Sequence, residues 1–189
     1  MRCLHDFTLP RKQTALVIVD FQERLFPAMD PDRKEEMRKN TALLLELARV
    51  LRLPILFTEQ YPEGLGRTVP EVAELLPEGA EPFAKVEFSC WRAEGFAQQF
   101  RYLDLKAAIL IGMESHVCVL GTALDMLREG VLVHVPGDAV VSRTEANRRV
   151  GLDLMERAGA VITSTETVVF QLLERAGTPE FKALSKLLR

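Results

Sequence analysis

The chain has 189 residues, 48% of them hydrophobic, and a formal net charge of −3 at pH 7, which suits one ordinary globular domain. No basic stretch supports nucleic-acid binding, and without a signal peptide or an apolar run near ~20 residues we expect no membrane segment. Three widely spaced cysteines argue against a disulfide framework, so we expect a cytoplasmic protein. From the length we expect a single domain over residues 1–189.

Short β-branched segments alternate with longer helical patterns, which predicts βαβ units and a parallel sheet. The predicted strands are 14–20, 54–58, 82–88, 106–112, 131–135 and 160–163. The predicted helices are 32–51, 69–76, 95–102, 116–129, 145–158, 165–176 and one that begins at residue 179. We expect N-caps at Asp32, Thr144 and Thr178 and a C-terminal stop at Gly159. The Gly- and Pro-rich segment 59–68 is predicted to be a loop.

The predicted elements define a fold class. Six parallel strands with right-handed crossovers form an open, doubly wound sheet flanked by helices, for which we predict the order 3-2-1-4-5-6. Ligands of such sheets bind outside the carboxyl ends of the strands, where the winding reverses between strands 1 and 4. Asp20 ends the first predicted strand and Cys118 follows the fourth. The pattern therefore predicts that these two residues meet in one crevice.

Cys118 is the candidate nucleophile. A thiol at a helix N-terminus faces unpaired N–H groups and the positive end of the helix dipole, which favours the thiolate. Most buried cysteines are inert packing residues, so the position just beyond the fourth strand is what favours a catalytic role. Cys3, near the terminus, and Cys90, in a polar loop, are interpreted as structural or incidental.

Two charged residues allow more than one interpretation. An aspartate that ends a strand commonly caps a turn. After the apolar residues 17–19, however, Asp20 lies at the rim of an apolar crevice, where it could accept the proton of a thiol. Lys85 belongs to an outer strand, where the pattern predicts a solvated charge at the sheet edge or a pair with Glu87.

The three histidines give no metal site. His5, His116 and His134 are scattered, and none has a partner at ligand spacing. His116 lies two residues before Cys118, where side chains at a helix start diverge, so we predict a surface or capping role. His134 alternates within a strand and is predicted to be a hydrogen-bonded core residue.

Three segments resemble the motifs of the isochorismatase-like cysteine hydrolases and occur in the order of that family. They are VIVDFQ at 17–22, FAKVEFS at 83–89 and GMESHVCV at 112–119. The loop TEQYPEGLG at 58–66 is most similar to the branch of isochorismatase-domain-containing proteins. The resemblance covers nearly the whole chain, from about residue 14 to the sixth strand, and implies the isochorismatase-like α/β fold.

The resemblance also implies a set of catalytic residues. It assigns a triad of Asp20 as general base, Lys85 as the cation that stabilises charge and orients the pair, and Cys118 as nucleophile. It thereby moves Lys85 from the sheet edge into the crevice. In the family the backbone N–H groups corresponding to Glu114 and Cys118 form an oxyanion hole, and the bond corresponding to Met113–Glu114 is typically cis.

The implied reaction is hydrolysis of a C–N bond in a small amide, imide or carbamoyl compound through a thioester on Cys118, with no cofactor. Nicotinamidases of the family carry a metal site of histidines and aspartates after the second strand. Residues 59–63 of this chain contain no histidine, so we expect no metal. True isochorismatases cleave a vinyl ether without a cysteine at this position, so Cys118 disfavours that activity. The alternative is a non-catalytic or thiol-redox-sensing protein on the same fold.

The sequence offers candidates for the substrate pocket and for an interface between subunits. Five residues near the motifs are candidates for the pocket, although aromatic residues at such places are also common in cores and rims: Phe21, Gln22, Phe26, Tyr61 and Trp91. Family members commonly assemble, and the apolar stripes in 168–172 and 181–188 could cover either an interface or the sheet. We expect a small-molecule substrate and a homo-oligomer.

Overall fold

A computed structural model describes residues 4–188 of the chain, so the interpretation of Cys3 lies outside the described residues. The strands are β1 (Thr14–Val19), β2 (Ile55–Gln60), β3 (Phe83–Lys85), β4 (Ala107–Met113), β5 (Leu132–Pro136), β6 (Val140–Val141) and β7 (Val161–Thr163). The α-helices are α1 (Pro31–Leu51), α2 (Pro62–Leu65), α3 (Pro70–Ala73), α4 (Phe96–Tyr102), α5 (Leu120–Arg128), α6 (Glu145–Ala158), α7 (Thr165–Leu173) and α8 (Pro179–Leu184). A π-helical turn, Ser115–Val119, leads directly into α5.

The strands form one parallel sheet in the order β3-β2-β1-β4-β5-β7, with β6 paired to β4. The predicted doubly wound α/β class and the order of its six strands are confirmed. The prediction omitted β6, which pairs with Gly112 and Met113 at the carboxyl end of β4. The β5 pairing covers only Ala107–Ile109 of β4, so the rest of β4 has room for this partner. A two-residue strand is too short to produce an alternating pattern, so no local periodicity indicates it.

Two predicted boundaries next to the carboxyl edge of the sheet were wrong. β2 continues to Gln60, because its last residues pair with β3 in the register Thr58↔Phe83 and Gln60↔Lys85. The short helix α2 follows in the segment predicted as a loop. β3 itself has three residues instead of the predicted 82–88, since the chain bends after Lys85. Hydrogen-bond pairing between segments distant in the chain determines where β2 and β3 end, and local composition does not indicate that pairing.

The helix caps largely follow the sequence. Thr144 and Thr178 accept hydrogen bonds from backbone N–H groups in the first turns of α6 and α8, and Gly159 ends α6 with φ +118°. At α1 the cap is Asp30 instead of Asp32, and its carboxylate accepts from the Asp32 N–H at 3.0 Å. The cap moves because a proline follows it, and a proline at the first helical position lacks only an N–H that has no helical partner.

The sheet separates two hydrophobic clusters. One includes residues of α1, α7 and α8, and the other includes residues of α4, α5 and α6. Alternate residues of β1 face the two clusters, so this strand is buried on both sides. Val168 and Leu184, from the two C-terminal stripes, are buried in the first cluster; these stripes therefore cover the core. Within residues 4–188, no helix is long and apolar enough to cross a membrane.

Candidate active site

The carboxyl ends of β1 and β4 approach closely at Gly112. A Cβ on Gly112, which has φ +118°, would lie 2.2 Å from the carbonyl oxygen of Val19, so a side chain does not fit there. Asp20 directly follows β1 with φ +52°, a left-handed conformation that aspartate tolerates better than most residues with a side chain. The strand ends thus deliver Asp20 to the edge of the sheet where the winding reverses.

Asp20 and Lys85 form a buried ion pair at this edge. Lys85 Nζ lies 2.7 Å from Asp20 Oδ2, and both side chains are 0% exposed. The pattern interpretation of Lys85 as a solvated charge is therefore wrong, although β3 is an edge strand. Lys85 is the last residue of β3 and pairs with Gln60; its side chain is buried, whereas Ala84 and Val86 on either side are exposed. The structure places Lys85 beside Asp20, where the family resemblance put it.

The Lys85 ammonium is held by three acceptors. Besides Asp20, it donates to Gln60 Oε1 at 2.6 Å and, at a longer 3.4 Å, to the Phe88 carbonyl oxygen. An ammonium has three protons, so its donors are all engaged. Burial has the largest single effect and lowers the pKa of Lys85, but the charge of Asp20, the two neighbouring cysteines and the hydrogen bond to Asp20 together outweigh burial, so the pKa is raised. Lys85 is therefore a fixed positive charge at neutral pH.

Cys118 lies in the π-helical turn just after β4 and is 6% exposed. The Met113–Glu114 bond at the end of β4 is cis. Helix α6 packs tightly on the turn, since a Cβ on Gly151 would lie 2.6 Å from the Ser115 carbonyl group. The Cys118 thiol is near enough to the Asp20 carboxylate and the Lys85 ammonium for both charges to act on its pKa. The carboxylate, the ammonium and the thiol thus share one buried site.

The electrostatics of Cys118 differ from the prediction. Burial and the negative charge of Asp20 raise the pKa of the Cys118 thiol far above its usual value, although the charge of Lys85 opposes them. The expectation that the helix N-terminus would favour a resting thiolate is therefore wrong, because desolvation and the carboxylate outweigh it. The thiol is protonated at rest, and a base must remove its proton when it attacks.

A second buried thiol, Cys90, belongs to the same cluster. Its Sγ lies 3.4 Å from Thr58 Oγ1, and the Thr58 hydroxyl donates to Asp20 Oδ1 at 2.7 Å. The Cys90 N–H donates to Thr122 Oγ1 at 2.8 Å, and the Thr122 hydroxyl donates to the Cys118 carbonyl oxygen at 2.7 Å. Burial, together with the charge of Asp20, raises the pKa of Cys90 to about 11. Cys90 is therefore a neutral thiol, and it contacts a residue that binds Asp20.

Sequence reasoning missed Thr58 and Gln60. They lie two residues apart on β2, so their side chains point to the same face. The predicted strand order already placed the second strand beside the first, and polar residues at its carboxyl end were the available signal. Assigning residues 59–68 to a loop hid that signal.

The predicted oxyanion donors, the backbone N–H groups of Glu114 and Cys118, remain a prediction. The structure shows how Glu114 is held. Its Oε2 accepts from both the backbone N and the Nε of Arg143, each at 3.1 Å. Although Glu114 is 8% exposed, its carboxylate is thus paired with a cation. This contact fixes the residue that follows the cis bond.

The four aromatic pocket candidates do not all come together. Phe21 is buried in the cluster that includes α1, with its ring centroid 4.9 Å from that of Phe26. Trp91 packs on the opposite face of the sheet, in the cluster that contains Cys118. Tyr61 is 54% exposed. All four residues lie in loops or helical segments beyond the strands, so closeness to a motif in sequence does not determine the face of the sheet on which they pack.

Gln22, the polar pocket candidate, is a structural clamp. Its Nε2 donates to the carbonyl oxygens of Gln60 at 3.0 Å and Gly66 at 2.7 Å, and its Oε1 accepts from the Gln60 N–H at 2.8 Å. Both amide protons and the oxygen are therefore engaged, and the side chain is buried. Gln22 ties the end of β2 to the loop that follows α2.

His134 and His116 have hydrogen-bond partners outside the triad. His134 is buried, with Nε2 3.1 Å from the Asp6 carbonyl oxygen, and burial lowers its pKa, so the predicted core role is confirmed. His116 Nδ1 lies 3.0 Å from Ser142 Oγ. Within the described part of the chain, no group of three or more His, Cys, Asp and Glu side chains could hold a metal ion.

Comparison with known proteins gives consistent matches. A family model described as the isochorismatase domain matches residues 14–167. Isochorismatase domain-containing protein 2 from Danio rerio is 36% identical over 180 residues, which cover 95% of this chain and 89% of that protein. The MAR1 ribonuclease from Caenorhabditis elegans superposes with a TM-score of 0.89 at 35% identity, covering 96% and 92% of the two chains. The YcaC gene product of Escherichia coli, an octameric hydrolase of unknown specificity, superposes with a TM-score of 0.88 at 26% identity, covering 100% and 91%.

Proposed function

Because the chain belongs to the isochorismatase family, we propose that it is a cysteine-dependent hydrolase that cleaves a C–N bond of a small amide, imide or carbamoyl compound through a thioester. The family and the hydrolase among its structural neighbours support a hydrolase. The observation that carries the specific reaction is the buried meeting of Asp20, Lys85 and Cys118 at the carboxyl edge of the sheet.

In the proposed acylation half, Asp20 accepts the proton of the Cys118 thiol while Sγ forms a bond to the substrate carbonyl carbon. The raised pKa of the Cys118 thiol supports this coupling, since little free thiolate exists before attack. The protonated Asp20 then gives its proton to the leaving nitrogen, and the C–N bond breaks. An amine departs, and a thioester on Cys118 remains.

In the proposed deacylation half, Asp20 takes a proton from water, whose oxygen attacks the thioester carbonyl carbon. The C–S bond breaks, the acid departs and the thiol recovers its proton. We assign the backbone N–H groups of Glu114 and Cys118 to the oxyanion of both tetrahedral intermediates, a contribution of about 3 kcal/mol per donor. Lys85 keeps its charge throughout and holds the Asp20 carboxylate in place.

We propose a small molecule instead of RNA as the substrate. The Caenorhabditis elegans relative is a MAR1 ribonuclease, so RNA belongs among the compounds tested. A net charge of −3 gives no general attraction for a polyanion. The nucleophile is also only 6% exposed, and this enclosure favours a compact substrate.

The alternative, a redox sensor, requires an accessible thiolate. Cys118 has the opposite properties, because its sulfur is nearly enclosed and burial raises its pKa. A sensor also has no need for the Asp20–Lys85 pair. The hydrolase is therefore the function that the geometry supports best.

The test is intact-mass detection of a covalent intermediate. The protein is mixed with a panel of small amides, imides, carbamoyl compounds and activated esters, quenched in acid and weighed, and the adduct is located by peptide mapping. We expect acyl adducts on Cys118 and turnover, with neither in Cys118→Ala. Cys118→Ser should also fail, because an alkoxide is much harder to generate beside a carboxylate. Full turnover by Cys118→Ala, or only sulfenate and disulfide forms on Cys118, would contradict the proposal.

We also propose that the protein is a cytoplasmic homo-oligomer. The Escherichia coli neighbour is octameric. In this chain Phe88 is 63% exposed and Leu124 is 37% exposed, and both line one groove beside α5. Cys90 and Cys118 are free thiols, which suits a reducing compartment. Light scattering coupled to gel filtration measures the mass, and a monomer at micromolar concentration would contradict assembly.

A further inference from the structure

Five residues form a closed ring of polar contacts, here termed the polar ring: Asp20, Thr58, Cys90, Thr122 and Cys118. Thr58 donates to the Asp20 carboxylate, whose charge also acts on the Cys118 thiol. Cys90 contacts the Thr58 hydroxyl through its sulfur and the Thr122 hydroxyl through its backbone N–H, and Thr122 donates to the Cys118 carbonyl oxygen. The ring thus connects the proposed base to the proposed nucleophile along two routes.

The direction of each hydrogen bond in the ring is determined by its neighbours. The single hydroxyl proton of Thr58 goes to Asp20, since a carboxylate can only accept. In the contact with Thr58 the Cys90 S–H must therefore be the donor, at 3.4 Å. Cys90 can donate because it is fully buried and neutral. Thr58 Oγ1 then accepts from one side and donates to the other, which leaves its hydroxyl no freedom to turn.

We propose that Thr58 is a positioning residue that holds the Asp20 carboxylate through Oδ1 while Lys85 holds Oδ2, and that the Cys90 thiol locks the Thr58 hydroxyl in this orientation. The proposal rests on the proposed function, in which Asp20 must accept the proton of Cys118. With both carboxylate oxygens bound, Asp20 cannot rotate away from the thiol. Thr58 does not touch the substrate and acts only through Asp20.

A buried threonine does not by itself imply this role. Thr41 on α1 is equally buried, yet its Oγ1 has no hydrogen-bond partner among the described residues. Thr58 differs because its hydroxyl meets a carboxylate at 2.7 Å and a thiol at 3.4 Å. Thr41→Val is therefore a matched control for Thr58→Val, since it removes a buried hydroxyl that bonds to no residue between 4 and 188.

The experiment measures the alkylation of Cys118 by iodoacetamide as a function of pH. In this reaction Sγ forms a bond to the CH2 carbon, iodide leaves, and the thiol proton passes to Asp20 and then to solvent. The rate is followed by intact mass, and peptide mapping assigns it to Cys118. The titratable groups that face Asp20 are Lys85 from β3, Cys118 from the π-helical turn and Cys90 from the segment after β3. The acidic limb of the profile is the range in which the alkylation rate rises from low pH. Because these groups interact, the acidic limb reports their titration together and not that of one residue.

Thr58→Val should move the acidic limb to higher pH by about one unit, because a donor to the charged carboxylate is lost. Thr58→Ser keeps the hydroxyl and should return the limb to the wild-type position. Thr41→Val should leave it unchanged. A limb unmoved by Thr58→Val overturns the proposal, and so does a folded Thr58→Ser that shifts as far as Thr58→Val.

Urea denaturation of each variant establishes that it is folded. If Thr58→Val is not folded, Cys90→Ala carries the test. Loss of the donor to Thr58 should then move the limb in the same direction by a smaller amount, and an unmoved limb in that variant overturns the proposal.

The proposed function can fail independently of this result. A shifted limb with no turnover of any compound in the panel supports the positioning role and contradicts the hydrolase. Turnover through an acyl adduct on Cys118, with a limb that Thr58→Val does not move, supports the hydrolase and contradicts the positioning role.

Discussion

Removing the positive charge of the buried ion pair is expected to destabilise the fold strongly. In Lys85→Met the hydrophobic stem is kept, while the Asp20 carboxylate loses an ammonium 2.7 Å away at a site where both side chains are 0% exposed. Removing one partner of a buried pair costs about 3–5 kcal/mol, because the other charge stays buried without compensation. The Thr58 hydroxyl still donates to Asp20, so we expect the lower half of this range.

The assay is urea denaturation with a matched control. Arg157–Asp153 is an ion pair at 3.0 Å whose side chains are 75% and 54% exposed. Arg157→Met should therefore cost no more than about 0.5 kcal/mol, as is typical of exposed pairs. The double variant Asp20→Asn/Lys85→Met removes both charges and should be more stable than Lys85→Met alone.

The stabilisation that the Asp20–Lys85 ion pair gives to the fold changes with pH in a definite direction. The pKa of Lys85 is raised in the folded protein above its ordinary value of 10.5, so folding favours the charged form. The stabilisation is fully present below pH 10.5 and is lost as the pH rises through the folded pKa. Above neutral pH, the difference between wild type and Lys85→Met should thus persist until the solution is strongly alkaline. A cost of Lys85→Met no larger than that of Arg157→Met at neutral pH would refute the reasoning.

Two further predictions concern the nucleophile and its support. Asp20→Asn removes the group that accepts the Cys118 proton in both turnover and alkylation; turnover should therefore be lost and the acidic limb of Cys118 alkylation should move to higher pH, and an unmoved limb would contradict the role of Asp20 as base. Gly151→Ala places a Cβ 2.6 Å from the Ser115 carbonyl group and should cost about 1–3 kcal/mol in urea denaturation. Gly121→Ala, whose Cβ would have no neighbour nearer than 3.8 Å, is the control and should be neutral or stabilising, and an equal loss in both variants would contradict the close-packing argument.

The sequence determined the class of fold and the place of the site. Runs of β-branched residues, helical periodicity and capping residues are local signals, and they report local conformation directly. The handedness of βαβ crossovers then limits the possible strand orders, and a common one among doubly wound sheets, 3-2-1-4-5-6, is the order observed. From that order alone, Asp20 and Cys118 were expected to meet at the reversal of winding.

The position of Lys85 required more than the pattern. The alternation of residues in β3 is compatible with an exposed lysine at an edge. Only the register with β2, which pairs Lys85 with Gln60, decides that the ammonium turns into the crevice. The family resemblance supplied this position because it carries tertiary information that periodicity lacks. Register itself arises between segments distant in the chain, so the pattern of one segment does not contain it.

The same limit explains the remaining differences. Local sequence located the Cys118 helix start and the dipole that favours a thiolate, but the pKa of the thiol depends on burial and on a carboxylate nearly a hundred residues away in the chain. Desolvation and charge–charge interaction act through space. The chain by itself therefore determined which elements form and where ligands approach them, whereas tertiary packing decided the protonation of the nucleophile, the partners of its base and which aromatic residues are core.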